Sequence, residues 1–95
     1  MTHTGPFELT ANESWELTER SSEELIFEHE AGGQLRASPI DGVWGEYPLR
    51  WTFEGSADGD TVVFEEYEVR NEDHLGAILQ NVSQVIHSTI TDSDY

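Results

Sequence analysis

The sequence predicts an α+β fold: an antiparallel β-meander of five or six strands with one C-terminal amphipathic α-helix packed on one face. Three features of the 95 residues carry this expectation. Up to Arg70, short segments alternate apolar and polar side chains at period two, the signature of half-buried strands. Clusters of Gly, Asp, Ser and Pro punctuate them. After Asn71 the apolar period becomes that of a helix. The expected organisation is one domain over 1–95, with the sheet over about 7–70, the helix over about 72–90, and 1–6 and 91–95 as flexible tails.

Each element has its own warrant. Phe7-Glu8-Leu9 opens a first strand. Ser14 to Arg20 alternates cleanly, and Ser21-Ser22 supplies a turn. Glu24 to Glu30 is rich in strand formers. Ala31-Gly32-Gly33 tolerates the positive φ of a hairpin turn before Gln34 to Ser38 returns. Pro39 to Gly42 is a loop. Tyr47 to Glu54 places Leu49, Trp51 and Phe53 on one face, and Pro48 belongs at its start or on an edge. Gly55 to Asp60 is a turn signal, and Thr61 to Arg70 returns. In that strand Val62 and Phe64 share one phase while Tyr67 and Val69 share the other. Either a β-bulge near Glu65-Glu66 corrects the register or the strand is apolar on both faces. Asn71 caps the helix, with Glu72 and Asp73 in its first turn. Leu75, Ile78, Leu79, Val82, Val85, Ile86 and Ile90 then cover an apolar arc of roughly 140°.

Charge is the most informative bulk property. Twenty acids face four arginines, with no lysine, for a net charge of −16. A sphere of roughly 16 Å radius with this charge has an unscreened self-energy on the order of 30 kcal/mol in water. About 10–15 kcal/mol remains at 0.1 M salt, which rivals the whole stability of a small domain. In molar salt the screening length is ~3 Å and the penalty largely vanishes. The composition resembles that of cytosolic proteins of extreme halophiles, rich in Asp and Glu and poor in Lys. This resemblance spans the whole chain and concerns composition alone. It implies a cytoplasmic setting rich in salt, with solvated cations at the acidic surface. A mesophilic acidic protein, such as a nucleic-acid mimic, is the competing source of such charge, and the absence of lysine argues against it.

Several classes are excluded or disfavoured. No cysteine is present, so disulfides and thiolate metal sites are out. No apolar run reaches the ~18 residues of a membrane span, and residues 1–6 lack the character of a signal peptide. Four scattered arginines give no basic stripe for phosphate, which argues against nucleic acid. P-loop, dinucleotide glycine, nucleophile-elbow and zinc-helix motifs are absent. Asp58-Gly59-Asp60 lacks calcium-loop spacing. With twenty acids, adjacent pairs such as Glu65-Glu66 read as solvated charge, so neither catalysis nor a cofactor nor a metal site is expected. Among the histidines, His29 alternates in phase with Leu25 and Phe27. His29 and His74 with a carboxylate form the one metal set conceivable, and His3 lies in a loose terminus.

One anomaly points to function. The 18 residues from His74 to Thr91 carry no formal charge. Opposite the apolar arc lie Ala77, Gln80, Asn81, Gln84, His87 and Ser88. Glu would be the better helix former there, so the missing charge marks a contact. These residues, with Trp44, are the expected interface to a protein partner or a second copy. Coverage by a loop of the same chain is the competing reading, and chance is another. The alternative function is small-molecule binding in an aromatic pocket between sheet and helix, lined by Trp15, Trp51, Phe53, Phe64 and Tyr67.

Overall fold

The computed structural model describes residues 7–21, 23–40, 42 and 46–92. Among the described residues five strands form one sheet in sequence order: β1 (Trp15–Arg20), β2 (Leu25–His29), β3 (Gly33–Pro39), β4 (Leu49–Ala57) and β5 (Asp60–Val69). Every neighbouring pair is antiparallel. Helix α1 (Glu72–Asp92) packs on β3, β4 and β5. The fold is therefore the α+β meander that the alternation predicts.

The first expected strand does not form. Phe7 and Leu9 are buried outside the sheet, and Phe7 meets Phe27 edge-on at 6.3 Å. Their backbone is committed locally and to the helix instead. Asn12 Oδ1 accepts the Leu9 N–H and Ser83 Oγ accepts the Thr10 N–H. Ala11 at φ 57° and a short 3₁₀ turn at Asn12–Ser14 then redirect the chain into β1.

Small residues decide the sheet's second half. Gly55, Ser56 and Ala57, expected in a turn, continue β4. The turn itself is Asp58-Gly59, with φ of 54° and 88°, the two-residue hairpin that requires positive φ at both positions. Gly55 pairs with Leu35 and Val63 as a strand residue, and the helix passing over it leaves no room for a side chain. A Cβ there would stand 2.6 Å from Ile86 Cδ1 and 2.6 Å from Val63 Cγ1, and one at Gly33 would stand 2.7 Å from Ile90 Cδ1. The bulge in β5 falls at Val62, where the pairing shifts between Gly55 and Ser56, rather than at Glu65-Glu66. Beyond it, Val63, Glu65, Tyr67 and Val69 pair with Gly55, Phe53, Trp51 and Leu49 on the helix side. Phe64 pairs with Glu54 on the opposite face and is 61% exposed.

Trp15, Leu25, Phe27, Leu35, Trp51, Phe53 and Val69 form the floor on which Leu75, Leu79, Val82 and Ile86 sit. Trp51 and Phe53 stack at 6.2 Å. Val85, placed by its spacing in the apolar arc, lies at the arc's border and is 44% exposed. Asn71 caps α1 as expected: its Oδ1 accepts the His74 N–H at 2.8 Å and its carbonyl accepts the Leu75 N–H at 3.0 Å. The helix continues through Thr91 and Asp92, which therefore belong to it rather than to a tail. The rest of both expected tails, 1–6 and 93–95, lies outside the described residues. On the outer face Arg36 reaches Glu24 at 3.7 Å and Arg50 reaches Glu66 at 3.0 Å, exposed pairs of small energetic weight.

Two glycine substitutions separate crowding from backbone strain. Gly55→Val should cost about 2–3 kcal/mol, because its methyls have no room under Ile86. Gly59→Ala has open space but an unfavourable φ, and should cost about 1 kcal/mol. Urea unfolding in 3 M KCl measures both. Equal costs would show that the helix can lift off Gly55 freely.

Candidate interaction surface

The buried stripe of α1 (Leu75, Leu79, Val82, Ile86) divides its remaining surface into two flanks and an outer face. One flank is held by the amino-terminal segment. Thr10 donates its N–H to Ser83 Oγ at 2.8 Å and its hydroxyl to the Gln80 carbonyl at 3.2 Å, which Ser83 Oγ also reaches at 2.7 Å. Trp15 Nε1 donates to the Thr10 carbonyl at 3.0 Å, tying this strap to the sheet. Part of the helix is thus covered by its own chain, although the Gln80 side chain stays exposed.

His87 lies further along the same flank and does not belong to the outer face. It is half-buried and faces His29 of β2, with Nε2 of His29 3.1 Å from Nδ1 of His87. The Ala31 N–H donates to His29 Nδ1 at 3.0 Å. His29 Nδ1 must therefore hold its lone pair, its proton must sit on Nε2, and that proton is donated to His87 Nδ1. Both Nδ1 lone pairs are used inside the protein. The His29 ring cannot take a proton in place without losing its hydrogen bond from Ala31. Burial, and then the proximity of His87, push His29 below its ordinary value of 6.5, against the opposing pull of Glu30. Trp15 stands edge-on to the His29 ring at 4.9 Å. The pair borders an open cleft of about 480 Å³ shared with Ser14, Glu30, Asp58 and Thr91.

The other flank faces the edge strand. An open groove of about 430 Å³ runs between α1 and β5, walled by Val63, Tyr67, Ile78, Val82 and Val85, with Ala77 and Asn81 at its lip. Tyr67 is 40% exposed and donates its hydroxyl to Glu65, the acid that reaches the groove.

The outer face consists of Ala77, Gln80, Asn81, Gln84 and Ser88, all exposed, as their spacing predicts. Trp44, grouped with them from sequence, lies outside the described residues. The five aromatics expected to line a ligand pocket do not meet around a common space. Trp15, Trp51 and Phe53 are fully buried in the core, Phe64 is on the far side of the sheet, and Tyr67 alone reaches the groove. Phe64 leaves the set because the bulge at Val62 inverts the phase from which it was placed. Among the described residues no group of three or more His, Cys, Asp or Glu is positioned for a metal ion. His29 meets His87 rather than His74, whose Nδ1 accepts the Arg70 N–H. His3 is outside the described residues. The His29–His87 link is the feature sequence reasoning missed. Its signals were an inward-phased histidine on β2 and a second one at the border of the helical stripe.

No described helix is long and apolar enough to cross a membrane. No family model, curated protein or solved structure matches the chain.

The histidine link makes stability depend on pH. The folded value of His29 is depressed, so the unfolded chain binds the proton first. The link's contribution is complete above about pH 6.5 and is lost as pH falls from there towards the folded value, by up to about 1.4 kcal/mol per pH unit. His29→Leu should flatten the stability profile between pH 6.5 and 5, measured by urea unfolding at fixed salt. An unchanged slope would assign the pH dependence to other groups.

Proposed function

We propose that this chain is a non-catalytic self-association module of a salt-rich cytoplasm, and that the outer face of α1 receives a second copy. The observation that carries this reading is that Ala77, Gln80, Asn81, Gln84 and Ser88, residues of the charge-free stretch that do not enter the core, are all exposed. A basic partner would be drawn to the carboxylates elsewhere. A face cleared of charge suits a partner that is itself strongly acidic, and a second copy is such a partner by construction.

Electrostatic magnitudes favour the same occupant and set its conditions. Two −16 spheres in contact repel by about 5 kcal/mol at 0.1 M salt, but by less than about 1 kcal/mol in molar salt. The face is about 26 Å long, and with the β5 flank it offers on the order of 600 Å² per copy, towards the low end for a stable interface. Docking of a few kilocalories would therefore survive high salt and fail in dilute buffer. Solvated cations held among the surface carboxylates supply the screening. The β5–α1 groove is the place where a small apolar ligand would bind instead, if the chain proves monomeric.

Light scattering tests the proposal. In 3 M KCl the particle mass should approach twice 10.7 kDa, and Gln84→Glu with Ser88→Glu should return it to one chain. Thr52→Glu on the opposite sheet face should leave the mass unchanged. A single-chain mass for the parent protein across micromolar concentrations would end this reading.

A further inference from the structure

The outward face of α1 has an internal order that specifies how two copies would meet. Leaving aside Gln80 at the border of one flank, the exposed Ala77, Asn81, Gln84, Ser88 and Thr91 recur with the half-buried His74 at intervals of three and four residues, a 3.5-residue seam. The seam reads the same in both directions about the point between Val82 and Ser83. Across that point Ala77 corresponds to Ser88, Asn81 to Gln84, and His74 to Thr91.

The two flanks of this seam differ. On the β5 side lie Val85, 44% exposed, Ile78 at the groove wall and Tyr67, 40% exposed. On the opposite side lie Gln80 and Thr10, whose hydroxyl bonds the Gln80 carbonyl. A two-fold axis perpendicular to the helices sets equivalent flanks side by side, so Val85 and Tyr67 of one copy would adjoin the apolar flank of the other. A two-fold axis along the helices does the reverse and sets Val85 against the partner's polar flank. The exposed apolar area is buried only in the first arrangement. It also opposes the two helix dipoles, whereas the second aligns them and gathers Glu72 and Asp73 of both copies at one end.

We infer that two copies pair through α1 in an antiparallel arrangement, with the two-fold axis beside Val82 and Ser83, Ala77 against the partner's Ser88 and Asn81 against the partner's Gln84. This rests on the self-association proposed above and adds its geometry. The small side chains Ala77 and Ser88 permit a close helix approach. The amides of Asn81 and Gln84 each donate and accept, so they satisfy one another without charge.

The chain has no cysteine, so disulfide trapping is clean. Ala77→Cys, Ser88→Cys and an equimolar mixture of the two would be oxidised in 3 M KCl, with one variant mass-tagged. In the antiparallel pair, residue 77 lies about 16 Å along the axis from its own copy, beyond disulfide reach. Cross-linked dimer should therefore be about tenfold more abundant in the mixture than in either variant alone, and should contain one of each. Cross-linking of each variant with itself would overturn the antiparallel geometry while leaving self-association standing. A dimeric mass with no trapping in any sample would move the interface off this face. A single-chain mass for the unsubstituted protein would remove the parent proposal itself.

Discussion

Self-repulsion is the constraint under which every other feature of this fold has to operate. A net charge of −16 on 95 residues leaves no arrangement in which the carboxylates avoid one another. Arg36 and Arg50 neutralise neighbours on the outer sheet face, but both pairs are exposed and weak. Elsewhere acids meet acids: Glu19 is raised above its ordinary value by its hydrogen bond to Glu24 and by the repulsion between them. Cohesion must come from the uncharged interior, and the largest fully buried side chains are Trp15, Trp51, Phe27 and Phe53. Stability is thus a contest between a small aromatic core and a surface whose repulsion depends on the solvent's salt.

The close approach of helix and sheet follows from that need. Gly33 and Gly55 remove Cβ atoms where Ile86 and Ile90 cross, so the helix sinks onto β3 and β4. Two of the polar side chains trapped by this approach, Ser83 and His29, find partners in distant parts of the chain, whereas the buried Trp51 Nε1 finds none among the described residues. Ser83 sits fully buried in the helix, accepts the Thr10 N–H and donates to the Gln80 carbonyl. His29 is answered by Ala31 and by His87. The strap and the histidine pair therefore fasten one flank of α1, and among the described residues the β5 flank and outer face stay open.

Local physics was legible in the sequence, and long-range register was not. Alternation around Trp15, Leu49, Trp51 and Phe53 marked their inward faces because period two is a property of the strand alone. The Asn71 cap and the outward set Ala77, Asn81, Gln84 and Ser88 followed from helical spacing in the same way. Phe64 failed because its face depends on one extra residue, Val62, whose position is fixed by how β5 pairs with β4. Gly55 looked like turn chemistry because its reason is a helix side chain arriving from 31 positions later. Ser83 and the His29–His87 link depend on where α1 lies over the sheet, and neither segment encodes that placement separately.

The distribution of acids also decides which surface is left for contact. The exposed edge strands of a meander invite pairing by other chains. Here β5 carries Asp60, Glu65, Glu66 and Glu68, and β1 carries Glu16 and Glu19, so each edge bears carboxylates that a like-charged copy would have to approach. The outer sheet face holds Glu28, Glu54 and both arginine pairs. Helix α1 is left as the face on which charge has been withheld, and it is withheld where helix propensity would favour Glu. Raising salt weakens the edge and outer-face barriers together. Phe64 is exposed among the acids of the outer sheet face, whereas the helix sets its apolar flank beside uncharged amides that can satisfy one another. In the pairing proposed above, the charge that would keep copies apart in dilute solution also selects the face through which they would meet once it is screened.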